Sequence, residues 1–80
     1  MINELRLALK EELSLIKDEA MQNRSPYLRF GQDVFNKCYI KFPSSVDKLR
    51  GTNYDCFYQD SKVDSFLEKL ENLLIEKILE

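Results

Sequence analysis

The chain has no histidine and no tryptophan, and only two glycines, two prolines and two cysteines in 80 residues. Each shortage excludes something. Without histidine there is no imidazole general base, no commonest metal ligand and no side chain that titrates unperturbed near neutral pH. Two cysteines without histidine do not make a zinc site. Gly31 and Gly51 stand alone, so there is no glycine-rich phosphate loop. The serines lack a base partner for a nucleophilic triad. A sheet protein needs more turn residues than four glycines and prolines provide, which favours helices. No apolar run approaches the roughly 20 residues of a membrane span. These exclusions, with a length that leaves little room for a deep cleft, predict a non-enzymatic protein with no cofactor.

What is present suffices for a core. Apolar residues make up 44% of the chain and charged residues 32%, which argues against disorder. The length allows one domain, 1–80, of marginal stability unless its helices pack well or it oligomerises. No secretory leader is legible in the charged residues 1–23, and cysteine is sparse for a secreted scaffold. The expectation is therefore a cytoplasmic protein with Cys38 and Cys56 reduced, serving as small apolar residues.

Charge is uneven along the chain. Residues 1–23 carry three basic and five acidic side chains (net −2), residues 24–50 six and two (net +4), and residues 51–80 three and seven (net −4). Oppositely charged helices packed beside each other account for this pattern. A dipolar molecule with an acidic face for a basic partner is the functional alternative.

Leu5, Leu9, Leu13, Ile16 and Ala20 recur at steps of three and four and predict an amphipathic helix over 2–22, with Leu7 and Leu15 widening its apolar face. Ser25-Pro26 is a helix-start pair, serine as cap and proline at the first position, for a second helix from about Pro26 to Tyr39 or Ile40. Tyr27, Phe30, Val34, Phe35, Cys38 and Phe42 are its apolar residues. Gly31 inside it costs about 1 kcal/mol relative to alanine and predicts a close backbone approach.

Pro43 ends that helix, Ser44 or Ser45 caps a short third one from Val46 to Arg50, and Gly51 closes it in the left-handed conformation. Thr52 to Gln59 is a loop loaded with Tyr54, Phe57 and Tyr58, of which Phe57 is expected to plug the core. Asp60 or Ser61 caps the last helix, Ser61 and Asp64 resembling a capping box. Val63, Phe66, Leu67, Leu70, Leu73, Leu74 and Ile78 form its wide apolar stripe. The fold class is all-α: a small bundle of three main helices plus one short one, the first and last antiparallel. Stripes wider than one small core needs make a homodimer through the first or last helix a further expectation.

Two polar blocks remain. Arg29, Gln32, Asn36, Arg50, Thr52, Asn53, Asp55 and Asp60 are the candidate site residues, either as a half-buried network tying the loop to the second helix or as a binding surface. A pairing of Arg29 or Arg50 with Asp55 or Asp60 serves the first role. Arg24, Arg29, Lys37, Lys41, Lys48 and Arg50, with Tyr27 and Tyr39 between them, supply a basic segment for nucleic acid, against an isoelectric point near 5.2.

The blocks Arg29, Gly31, Gln32, Phe35, Asn36, then Pro43, then Arg50, Gly51, Thr52, Asp55, Phe57, Tyr58 and Asp60 form a spaced pattern over about residues 27–70. It resembles small uncharacterised helical proteins of bacteria and their phages. Phe30 and Cys56 depart from that pattern, and the first helix lies outside it. The resemblance implies a prokaryotic or mobile-element origin and brings no activity with it. The leading expectation is a protein–protein binding module, for instance an inhibitor whose acidic surface imitates phosphate toward a host protein. The alternatives are a nucleic-acid-binding regulator using residues 24–50 and a homodimeric structural or assembly component.

Overall fold

Four helices wrap one core in a computed structural model that describes residues 2–23 and 26–79. Helix α1 spans Ile2–Asn23, α2 Phe30–Lys41, α3 Pro43–Leu49 and α4 Val63–Leu79, with a 3₁₀ turn at Asp60–Lys62 leading into α4. Among the described residues there is no strand. Helix α1 packs on α2 and α4, and α3 bridges α2 and α4 on the other side. The α1–α4 pair is antiparallel: Arg6 and Lys10 near the start of α1 meet Glu71, and Lys17 further along meets Asp64. A radius of gyration of 12.2 Å fits a folded domain of this length.

Most of the core is what the helical periodicity predicts, but Tyr27 and Ile78 are exposed, and Leu5, Phe30, Phe42 and Leu73 are only partly buried. Leu9, Leu13, Ile16 and Ala20 are buried on α1, Val34, Phe35 and Cys38 on α2, Val46 and Leu49 on α3, and Val63, Phe66, Leu67, Leu70, Leu74 and Ile75 on α4. Phe66 sits at the centre with no exposed surface and its ring 5.6 Å from that of Phe35. Leu7 and Leu15 do not widen the buried face: they are 59% and 67% exposed. Two neighbours, α2 and α4, cover one side of α1; Leu7 and Leu15 stay outside that cover, Leu15 at the edge that faces α2.

Helix starts differ most from expectation. Helix α2 begins at Phe30, four residues after Pro26, and Pro26 and Tyr27 form a turn instead. The Ser25 cap lies outside the described residues. Arg29 is the extended residue before α2 and gives no side-chain cap. Pro43 stops α2 and is also the first residue of α3, which therefore starts three residues earlier than Val46. Phe42 serves both helices, as C-cap of α2 through its N–H to the Cys38 carbonyl and as N-cap of α3. Neither Ser44 nor Ser45 caps it: Ser45 is buried, and Ser44 Oγ accepts from Lys77 Nζ at 2.9 Å. Gly51 follows α3 at φ +76°, as its place after the helix predicts.

Candidate binding surfaces

The eight candidate site residues divide into those that build a latch and those that stay outside it. Asp55 folds the 51–59 loop onto itself: Oδ2 accepts the Gly51 amide at 2.7 Å and Oδ1 the Phe57 amide at 2.8 Å. Thr52 Oγ1 donates to the Leu49 carbonyl at 2.6 Å and accepts from the Tyr54 amide at 3.2 Å. Short polar side chains bonding the backbone two to four residues away are the ordinary means of closing such a loop. Asp60 does not cap α4. Its Oδ1 accepts the Gly31 amide at 2.8 Å and so caps the start of α2 from 29 residues away.

The close approach expected at Gly31 is present. A Cβ there would overlap the Cys56 carbonyl oxygen, well inside van der Waals contact distance, and lie 3.0 Å from Asp60 Oδ1. Cys56 Sγ donates to the Gly31 carbonyl at 3.3 Å. Cys56, fully buried, is the residue that plugs the core. Phe57 is half-buried above it, edge-on to Phe35 with ring centroids 5.5 Å apart. Burial pushes the Cys56 thiol up to about 12, helped by the charge of Asp55. Burial pushes Cys38 up to about 12 as well, with Cys56 adding to the rise. Both are free cysteines, and neither is a thiolate nucleophile at neutral pH.

The arginines do not pair with Asp55 or Asp60, whose carboxylates accept backbone amides instead. Arg29 Nη2 donates to the Phe57 carbonyl at 2.6 Å, with its guanidinium 5.6 Å from the centre of the Tyr58 ring. Arg50 pairs with Asp47 at 3.3 Å and lies over the rings of Phe35 and Tyr39 at 5.4 and 5.2 Å. Arg50, Phe35, Phe57 and Tyr58 line a cavity of about 250 Å³. Gln32, Asn36 and Asn53 take no part in these bonds. The network is therefore a backbone latch built by Thr52, Asp55 and Asp60, edged by two stacked arginines.

Buried acids were not legible in the sequence. Glu71 is 4% exposed, with Arg6 Nη1 at 2.5 Å and Lys10 Nζ at 3.1 Å, and Arg6 also donates to Asn72 Oδ1 at 2.9 Å. Asp33 is equally buried, paired with Lys37 at 2.9 Å one turn on, and its Oδ2 has no hydrogen-bond partner among the described residues. The only sequence signal for either was an i, i+4 lysine after Asp33.

A second surface is a groove of about 490 Å³ between α1 and α2, lined by Glu12, Leu15, Ile16 and Glu19 on one side and Lys37, Ile40 and Lys41 on the other. Leu15 and Ile40 are 67% and 79% exposed along it. Lys41 and Glu12 close one end as an ion pair at 3.2 Å.

The charge segments are largely neutralised within the fold. In residues 51–79, Asp55, Asp60, Asp64 and Glu71 all have partners, leaving Glu68 and Glu76. In the basic segment, Lys37, Lys41 and Arg50 pair with acids, and Arg29 holds a carbonyl. Among the described residues no group of three or more acidic or sulfur side chains is placed to hold a metal, and no helix is long and apolar enough to cross a membrane. No protein-family model, curated protein or solved structure matches the chain.

Proposed function

We propose that this chain is a small non-enzymatic protein-binding module, of the bacterial or phage kind its polar blocks resemble. The α1–α2 groove carries the reading. It places two large exposed aliphatic side chains, Leu15 and Ile40, side by side on a small domain, with an acidic wall on α1 and a basic wall on α2. Scattered exposed apolar residues need no explanation, but adjacent ones in a charged frame are what a protein partner covers.

The test compares wild type with the double variant Leu15→Asp, Ile40→Asp. Both positions are exposed, so the melting temperature is expected to hold. Association, with itself or with a protein captured from bacterial lysate, is expected to be lost in the variant alone. A wild type that binds nothing, or a variant that binds as wild type does, overturns the reading.

An inhibitor of a host protein is a second form of the same reading, and its acidic surface is better sought on α1. Glu4, Glu11 and Asp18 are exposed at seven-residue spacing, which sets them in one row along that helix. Nucleic-acid binding through residues 24–50 draws less support, because most of that segment's cations are engaged within the domain. A salt-dependent mobility shift with duplex DNA, lost in Lys37→Glu with Lys41→Glu, is its test.

A further inference from the structure

We propose that the occupant of the α1–α2 groove is a second copy of the chain, related by a two-fold axis that runs along the groove. This rests on the protein-binding reading and names its partner.

The argument is one of self-complementarity. The two helices run antiparallel, since they are joined by a short connection and Lys41 at the end of α2 pairs with Glu12 midway along α1. In that direction the α1 wall reads Glu12, Leu15, Glu19 and the α2 wall reads Lys41, Ile40, Lys37. At about 1.5 Å rise per residue, Glu19 lies about 10 Å beyond Glu12, and Lys37 about 6 Å beyond Lys41. The mismatch of about 4 Å is within the span of a lysine side chain. Each wall is thus charged at both ends and aliphatic between, and the walls carry opposite signs.

A two-fold axis parallel to the groove keeps position along it and exchanges the walls. The acidic wall of one copy then faces the basic wall of the other: Glu12 meets Lys41, Leu15 meets Ile40, and Glu19 meets Lys37, each pairing made twice, with Lys41 and Lys37 keeping Glu12 and Asp33 of their own chain as second partners. The alternative in-plane axis, across the groove, sets Glu12 against Glu19 and Lys37 against Lys41, where like charges oppose association. The favoured axis also makes every neighbouring helix pair antiparallel, which is the up-down arrangement of a four-helix bundle, here α1 and α2 from each copy. An isologous contact of this kind closes at two copies and leaves no apolar edge to propagate.

The experiment uses the whole chain by sedimentation equilibrium from low to high micromolar concentration, with the melting temperature of every protein as the check on folding. Wild type is expected to move from 9.5 kDa toward twice that mass. Ile40→Glu is expected to stay at one copy. Glu12→Lys and Lys41→Glu are each expected to weaken self-association by about tenfold or more, because each puts like charges opposite each other twice. Their equimolar mixture is expected to regain wild-type affinity as a heterodimer, because lysine at both positions in one chain faces glutamate at both in the other.

A wild type that remains one copy throughout overturns the proposal. So does a dimer indifferent to Ile40→Glu, or a mixture no tighter than its components. A monomeric wild type whose lysate partner is lost on Leu15→Asp, Ile40→Asp leaves the protein-binding reading standing and removes only the second copy.

Discussion

The carboxylate of Asp60 accepts the amide hydrogen of Gly31 at 2.8 Å, and the main chain around Cys56 lies so close to Gly31 that no side chain fits between them. The start of α2 is therefore fixed by a residue beyond the far end of the loop. Replacing Gly31 by alanine pits two effects of opposite sign. Helix propensity alone favours alanine by about 1 kcal/mol. The added Cβ must displace the backbone at Cys56, and overpacking of this kind costs about 1–3 kcal/mol or more. We expect steric cost to win and Gly31→Ala to unfold at lower urea concentration than wild type; an increase in midpoint would show that the loop can move away.

Asp60→Ala removes the cap of α2 and is expected to cost about 1–2 kcal/mol in urea titration. Asp60→Asn keeps an acceptor and is expected to lose less. Combined with Gly31→Ala, the loss from Asp60→Ala should fall short of additive, since the alanine has already disturbed the same contact. Full additivity would mean that the two residues act separately.

Glu71 is buried, while its cations Arg6 and Lys10 are half open to water, with side chains 37% and 57% exposed. Truncation to alanine leaves a gap under α1 without stranding a buried charge, so a loss of about 1–3 kcal/mol is expected, below that of a fully buried pair. Glu71→Leu refills the volume with apolar atoms and is expected to lie within about 1 kcal/mol of wild type. Thermal melts of both variants decide it; a leucine variant as damaged as the alanine variant would mean that the charge itself is needed.

The thiols set an alkaline limit. Cys38 and Cys56 hold their protons to about 12 in the folded state, against an ordinary value of 9.0. Between those values the unfolded chain binds fewer protons than the folded one, so the thiols' contribution is complete below pH 9.0 and falls as pH rises toward 12. Each thiol contributes a slope of about 1.4 kcal/mol per pH unit. Cys38→Ala should flatten the alkaline decline while lowering stability at neutral pH. Iodoacetamide at pH 8 should label neither thiol until denaturant is added, and rapid labelling of the native protein would contradict the burial.

Much of the latch was visible in the sequence as residue types, and little of its wiring was. Gly31 announced a close approach because glycine is costly inside a helix, and Gly51 a left-handed residue because glycine adopts positive φ past a helix end without steric penalty. Thr52 and Asp55 lie in a loop where short polar side chains fold back locally. Arg29 and Arg50 looked like partners for Asp55 and Asp60 on charge alone. They stack on aromatic rings instead, while backbone amides hold both carboxylates.

The helices and most of the core were fixed by the sequence alone, because a stripe at three- and four-residue steps depends on local geometry within one helix. Which face each neighbour covers is not a local property. The fold decided that Leu15 and Ile40 stay outside while Ile75, Glu71 and Asp33 go in. It also moved the start of α2 to Phe30, where Asp60 can reach a free amide. Burial and long-range capping are settled by the placement of other elements, and one helix's pattern carries no record of where those elements will lie.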